Sequence, residues 1–529
     1  MKAFLALALA ATVHAGETLP NGITLPDVWP PVRAAKDVVN GQPMALPYLK
    51  NPPAVIPIDG GRQLFVDDFL IESTTLRRKF HAPSYRSEPV LVPDQPWETD
   101  GDVAWAAPYS DGVWFDAKTK RFMMWYRAGK GTTCLALSED GIHWTKPSLD
   151  IDPGTNIVLR TTRDAATVWL DDEEPRFKLV DARTKKGYHL TLHTSTDGVH
   201  WSEELTMSGP SWDRSTVFYN PFRKVWVASV RGHDMMQPNP VHRMRNYHEG
   251  KTLVEALNWK QHTDKVAQGE GLPGDLQPWV AADRLDSHHP DSRFAHLEPQ
   301  LYNLDAFAYE SLMVGLFTIW QGPDNETMKK LDLQKRNEVF VGFSRDGFHW
   351  DRTNRAAFLP VSTDPAAWNA ANVQSAGGGC VMAGGELLFY FSGRTQGNKS
   401  SRVCTGLATL RRDGFASMNA DEKGGVLTTR PVRFSGSHLF VNAKGKISAE
   451  VIDSEQRSKI FTCDSTNQQL IDVSSFAGKP VRIRFHLHEG ALFSFWVGPR
   501  VDGNVMLSTP PANATTLKSS PASFPTKAR

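Results

Sequence analysis

Along most of this chain the hydrophobic positions come in short β-prone runs separated by turn-forming residues, a pattern that predicts strands. One polar signature closes several of these runs: Ser-x-Asp-Gly-x-His-Trp, at 138–144, 195–201 and 344–350. Asp-Gly between β-prone runs is a strong hairpin signal, because the turn needs positive φ, which Gly, Asn and Asp adopt at least cost. The runs group into units. The first has strands at 112–115, 122–126 and 133–137; the second at 166–170, 177–180 and 190–193. A third unit has strands at 216–219 and 225–230, with Leu257-Asn258-Trp259 standing where the Trp strand is expected. The fourth covers 304–309, 312–319 and 339–343, and the fifth 380–383, 387–391 and 403–410. The fifth ends on Arg412-Asp413-Gly414-Phe415, which keeps Asp-Gly and has lost the Trp.

Trp144 to Trp201 spans 57 residues and Trp201 to Trp259 spans 58, whereas Trp259 to Trp350 spans 91, which places an insertion near 262–296. Such radial repetition predicts an all-β chain: a five-bladed β-propeller over 96–418, followed by a small C-terminal β-sandwich. The sandwich is expected over 419–507, where 433–441, 446–452, 468–473 and 481–487 alternate on a two-residue period. Ahead of the blades, 16–95 is Pro-rich and reads as an extended lead-in with a closing strand at 64–71. The Ser-, Thr- and Lys-rich tail, 508–529, is expected to be disordered.

Charge narrows the partners. A net charge of +1, with 22% charged residues and no basic run, excludes a nucleic-acid partner. Met1-Lys2, an apolar stretch over 3–13 and the small residues after it read as a signal peptide over 1–15, cleaved near Ala15. That stretch is too short to span a membrane, so a secreted or periplasmic protein without membrane insertion is expected. Cys134, Cys380, Cys404 and Cys463 lack paired metal-type spacing. A Cys380–Cys404 disulfide within the fifth unit and buried free thiols are the two alternatives. His288-His289-Pro290-Asp291 lies in the insertion and reads as a rim loop, since two adjacent His do not easily share one ion. No metal and no cofactor are expected, a structural calcium ion aside.

Register sorts the polar residues. In a blade, the start of the innermost strand, the end of the second and the start of the third share one face. The signature hairpins lie on the other face and read as scaffold, as does Glu310, which aligns with turn residues Asp116 and Asn220. The near face collects Glu98, Asp100, Asp102 and Arg127 from the first unit, and Arg160, Arg163 and Asp164 from the second. It adds Asp213, Arg214, Arg231, His233 and Asp234 from the third, His296, Glu298 and Gln300 from the fourth, and Asn372, Gln374 and Arg394 from the fifth. Carboxylates from several blades, interleaved with Arg, His and Trp, suit glycosidic chemistry. One acid protonates the leaving oxygen and a second carboxylate attacks or activates water.

The blade pattern, the Leu410-Arg411-Arg412-Asp413-Gly414-Phe415 close and the trailing sandwich resemble the five-bladed-propeller glycoside hydrolases, of the invertase/levanase-like and arabinanase/xylosidase-like type (families 32 and 43). The resemblance implies an Asp nucleophile or base at Asp102 (or Asp100), a transition-state-stabilising Asp at Asp164 or Asp213, and a Glu acid at Glu298. His296-Leu297-Glu298-Pro299 stands where invertase-like enzymes carry Glu-Cys-Pro. The expectation is thus a secreted glycoside hydrolase acting on a plant or algal poly- or oligosaccharide. Its catalytic residues would be Asp102, Asp213 and Glu298. Asp100, Arg127, Asp164, Arg214, Arg231, His233, Gln300 and Gln374 would bind the carbohydrate, and the several arginines suit a uronate or sulfated sugar. One alternative is a non-catalytic carbohydrate-binding propeller. A second is a sialidase-like hydrolase, since the hairpins also resemble Asp-boxes one residue shortened, with Arg127, Arg231 and Arg394 in place of an Arg triad.

Overall fold

The computed structural model describes residues 16–183, 187–234, 242–267, 269, 271–397 and 401–498. The expected signal peptide at 1–15 and the tail at 508–529 lie outside the described residues. The chain is all-β, with a few short helices. No helix among the described residues is long and apolar enough to cross a membrane.

Two units form separate antiparallel four-stranded sheets. One holds Arg163–Leu170, Phe177–Arg183, His189–Ser195 and Thr206–Met207; the other Thr216–Asn220, Val225–Asp234, His242–Gly250 and Gln277–Ala281. A third sheet holds Gln300–Tyr309, Leu312–Gly322 and Arg336–Ser344. The first and fifth units share one ten-stranded sheet, joined where Ala104–Ala107 runs parallel to Arg402–Arg411. The lead-in adds Ser84–Tyr85 to the outer edge of Arg402–Arg411, so chain from before the first unit completes the last.

Innermost strands are tied in sequence order. Trp114 donates to the Val168 carbonyl (2.9 Å), the Val217 amide to Thr167 (3.4 Å), Thr216 to the Leu304 carbonyl (3.3 Å) and Ser375 to Asp305 (2.6 Å). Between sheets lies a core rich in tryptophan, with Trp114, Trp125, Trp259, Trp279 and Trp350 all buried.

The signature hairpins are built alike. Asp140, Asp197 and Asp346 each accept two backbone amides on one oxygen and the His Nδ1 of the same motif on the other, at 2.6–2.7 Å. Partial burial opposes ionisation, but these hydrogen bonds outweigh it and hold Asp140 and Asp197 down at about 2. Gly141, Gly198 and Gly347 take φ of 75°, 78° and 82°. Each hairpin is also anchored by an aromatic of the preceding unit: Tyr390 donates to the Gly141 carbonyl, Trp125 to that of Gly198 and Trp279 to that of Phe348. A Cβ on Gly198 would stand 2.6 Å from the Trp125 ring. Gly198→Ala is therefore expected to destabilise the fold by at least about 2 kcal/mol, from left-handed backbone strain and overpacking combined, read as a lowered midpoint in chemical unfolding.

Three expectations about elements change. The strand expected at 64–71 is split into Gln63–Leu64 and Ile71–Thr74. Between them buried Asp67 caps a turn through the Phe69 amide and pairs with Arg345, which bends the run. Trp259 lies on no strand; it follows the helix Leu253–Ala256 and donates to the Pro210 carbonyl. The 262–296 stretch is not purely an insertion, because it carries the fourth strand of its sheet, Gln277–Ala281.

A separate eight-stranded sheet is built mainly on His438–Val451, Phe461–Asp472 and Ile483–Gly498. Gln63–Leu64, Ile71–Thr74 and Arg77–Phe80 of the lead-in join it. Its link to the blades is a buried ion network. Arg62 pairs with Asp413 (2.8 Å), which also accepts Tyr309, Asn442 and Ser494, while Arg412 pairs with Glu310 (3.0 Å). Glu310, at φ 51°, is thus a turn residue within scaffold. All four cysteines are free thiols, Cys380 and Cys404 among them.

Candidate functional site

The starts of inner and third strands and the ends of second strands bring one set of side chains together. Arg163 and Asp164 open the second sheet's inner strand, and Asp213 and Arg214 precede that of the third unit. Arg231 lies near the end of the next strand, Arg243 and Arg245 open the strand after it, and Tyr302 lies near the start of Gln300–Tyr309.

Asp164 is central. It is half-buried, and its Oδ2 accepts the Arg214 backbone amide at 3.1 Å. Tyr109, Tyr188, Arg127 and Lys335 all lie within reach of its charge. The second acid of the cluster, Asp213, is ion-paired to Arg231. Tyr109 and Tyr302 meet hydroxyl to hydroxyl at 3.4 Å and form the floor. Arginines stack on these rings and on tryptophans: Arg214 on Tyr109 (3.9 Å), Arg127 on Trp105 (4.3 Å), Arg243 on Trp320 (4.9 Å) and Arg231 on Tyr302 (5.2 Å).

Against the Tyr109 ring, the Arg214 guanidinium is 0% exposed and finds no hydrogen-bond partner among the described residues. Its backbone is held at φ 58°, with the amide bonded to Asp164 and the carbonyl to Arg245 (2.9 Å). Arg163 is paired to buried Asp111, whose carboxyl burial pushes up to about 6 against the pull of Arg163. Asp305 is held by Ser110 (2.9 Å), Asn303 (2.8 Å) and Ser375.

Beside this well opens a cleft of about 1150 Å³, lined by Asp100, Arg160, Arg183, Tyr188, Trp212 and His262 among others. Tyr188 and Trp212 pack ring to ring at 5.7 Å, a surface on which a sugar face can stack. Tyr188, on the wall of this cleft, lies within electrostatic reach of Asp164 and Arg231.

Of the residues expected from sequence, Asp164, Asp213, Arg214, Arg231 and Arg127 meet here. Gln300 accepts from Arg243 at the same face. Gln374 donates to Asn372 (2.7 Å), which also takes Asn337 (2.6 Å). The His233 side chain lies outside the described residues. Asp102 and Glu298 are exposed, on the chain just ahead of Ala104–Ala107 and Gln300–Tyr309 respectively. Asp100 is exposed too, and takes the Lys130 amide at 3.2 Å. Glu98 does not face the well: it is buried under the amides of Asp94 and Gln95, Tyr126 and Lys146, and serves as a cap. Among the described residues no three His, Cys, Asp or Glu side chains assemble as a metal cage. In the rim loop, His289 accepts the Asp291 amide and His288 bonds the Ala295 carbonyl.

Sequence reasoning missed Tyr109, Tyr302, Arg243, Arg245 and Lys335. Lys335 is pulled down to about 8, by burial first and then by Arg243, Arg231 and Arg394. In the unfolded chain its value is near 10.4. Between about 8 and 10.4 the unfolded state holds the proton that the folded state gives up, so stability rises with pH across that window. Lys335→Met is therefore expected to raise the melting temperature at pH 7, a gain that disappears above pH 10.5. An unchanged melting temperature at pH 7 contradicts this.

No family model matches the sequence, and no curated protein matches it. Solved structures similar to the chain are largely glycoside hydrolases. A glycosyl hydrolase from Bacteroides ovatus is 12% identical, with 66% of this chain and 97% of that one covered, at a TM-score of 0.40. A fructofuranosidase from Schwanniomyces occidentalis is 11% identical over 79% of this chain and 98% of its own, at 0.35. An N-acetylgalactosamine deacetylase from F. plautii is 14% identical over 64% and 96%, at 0.40. At this degree of likeness they fix neither family nor activity.

Proposed function

We propose that this chain is a secreted glycoside hydrolase, its blades arranged as a five-bladed propeller with a C-terminal β-sandwich, that cleaves an oligosaccharide lying in the cleft and reaching into the well. The ordered ties between successive innermost strands, with the first and last units sharing a sheet, support the ring. The observation that carries the function is the position of Asp164, bonded to the Arg214 amide, next to Asp213 and near a cleft whose wall carries the Tyr188 and Trp212 platform.

The nucleophile-or-base role falls to Asp164 in preference to Asp102. The reacting carboxylate must lie where the anomeric carbon lies, and Asp102 is solvated on the rim. Asp213, ion-paired with Arg231, steadies positive charge developing on the sugar ring. Glu298, exposed like Asp102 and two residues ahead of Gln300, takes the acid role, because a general acid can reach the leaving oxygen from the rim whereas a nucleophile must lie against the anomeric carbon. Glu298→Gln is expected to cut release of reducing ends by about 10²-fold or more and to spare substrates with a good leaving group such as nitrophenol. Equal losses on both substrates, or none, remove Glu298 from this role. A binding-only propeller is the second reading, favoured by the exposure of Asp102 and Glu298; reducing-end release by the wild-type protein rules it out.

A further inference from the structure

The charges around the well do not balance. Asp213 is committed to Arg231 and Asp111 to Arg163, while Asp305 is held by two hydroxyls and an amide. This leaves Arg127, Arg214, Arg243, Arg394 and Lys335 outnumbering the acids near them: Asp164 acts on Arg127 and Lys335, and Asp111 acts on Arg127 and Arg214 as well as on Arg163. The cations sense one another: Lys335 feels Arg243, Arg231 and Arg394, and Arg394 feels Arg127. Arg243 and Arg394 are pushed down to about 10 chiefly by burial, which leaves both charged at neutral pH. Crowded, partly desolvated cations repel, and a buried cation without a partner costs free energy that a folded protein normally avoids.

Arg214 is the extreme case. Its guanidinium has no exposure and no hydrogen-bond partner among the described residues, and lies against the face of Tyr109 at the floor of the well. The Nε atoms of Arg127 and Arg243 are likewise buried and unbonded. Above the floor, Arg127, Arg243, Arg394 and Lys335 are only half-buried and so accessible to a ligand. A neutral sugar would leave this excess uncompensated. An oxyanion in their midst would supply the missing charge, and planar guanidinium groups bind carboxylate and sulfate oxygens in pairs.

We infer that the saccharide carries a negatively charged oxyanion, a uronate carboxylate or a sulfate ester, held among Arg127, Arg243, Arg394 and Lys335 over the buried charge of Arg214. The inference rests on the well being a sugar site and names its substrate class. The charge is a recognition element beside the scissile bond, with Asp164 close enough to limit repulsion among the cations while the well is empty.

The test is calorimetric titration of the wild-type protein with a panel of matched pairs. Plant oligouronides are set against their methyl esters, and sulfated algal oligosaccharides against their desulfated forms, with reducing-end release measured in parallel. At least one charged member is expected to bind ten-fold or more tightly than its neutral partner. Preference within the uronate pairs identifies a carboxylate, and preference within the sulfated pairs a sulfate ester. Lys335→Met and Arg394→Met, checked for folding by circular dichroism, are each expected to lower the charged ligand's affinity at least ten-fold and leave the neutral one's unchanged. Neutral members binding as tightly as charged ones, or folded variants that keep the full preference, overturn the inference. Cleavage of neutral sugars alone removes it and leaves the hydrolase reading intact; charged ligands bound but never cleaved do the reverse.

Discussion

Asp164→Asn is expected to lower turnover by about 10²–10⁴-fold in a protein that folds and still binds its saccharide. The substitution is nearly isosteric. Its side-chain oxygen can still accept the Arg214 amide, now at 3.1 Å, so the left-handed backbone of Arg214 keeps its anchor. What disappears is the negative charge. An amide neither attacks an anomeric carbon nor takes a proton from water, and the loss falls on kcat while KM changes little. The stability change is expected to be small and of definite sign. Asp164 favours the charged forms of Arg127 and Lys335, so its neutralisation deepens the repulsion among the cations. Steady-state kinetics on any cleaved substrate, with a thermal melt of the same sample, reads both effects.

The second large effect lies far from the well. Asp413→Asn is expected to destabilise the protein by about 3 kcal/mol, because it removes the nearer of two counter-charges from buried Arg62 and leaves only Glu310, at 3.9 Å. Asp413 accepts Arg62 on one side and Tyr309 on the other, with Asn442 and Ser494 completing its shell, so no water replaces the lost charge. Arg62 also stacks on Trp496 at 3.9 Å, which ties the loss to the C-terminal sheet. Burial opposes ionisation of Asp413, yet Arg62 and Arg412 outweigh it and hold the carboxyl well below the usual range. A depressed carboxyl contributes stability that is complete above its unfolded value, near 3.9, and is lost as pH falls from there toward the folded value. Acid unfolding of the wild-type protein should thus steepen below about pH 4, and the Asp413→Asn variant should lack that part of the limb.

The sequence carried the hairpins and the near-face register because both are local. Asp-Gly fixes a turn, and strand direction then assigns Asp164, Arg214 and Arg231 to one face. The third unit was harder to read. Its hairpin has lost the signature, so the strand His242–Gly250, with Arg243 and Arg245, has no marker in the sequence, and Trp259 mimics a strand residue while lying on no strand. Tyr109 sits in a break between Ala104–Ala107 and Val113–Asp116, and no periodicity announces an interrupted strand. Lys335 stands one residue ahead of Arg336–Ser344, where the third-strand rule would have found it. Asp102 and Glu298 precede inner strands as expected, yet a position ahead of a strand says nothing of depth. Whether such a carboxylate turns inward depends on loop geometry that only tertiary packing decides.

The central claim is that the well around Asp164 hydrolyses a glycosidic bond. The most direct measurement is reducing-end release from a panel of plant and algal oligosaccharides by the wild-type protein and by Asp164→Asn, both at saturating substrate. The account predicts release by the wild-type protein from at least one saccharide and a loss of about 10²-fold or more in the variant. Equal release by the two proteins, or tight binding by the wild-type protein with no release from any saccharide, would contradict it.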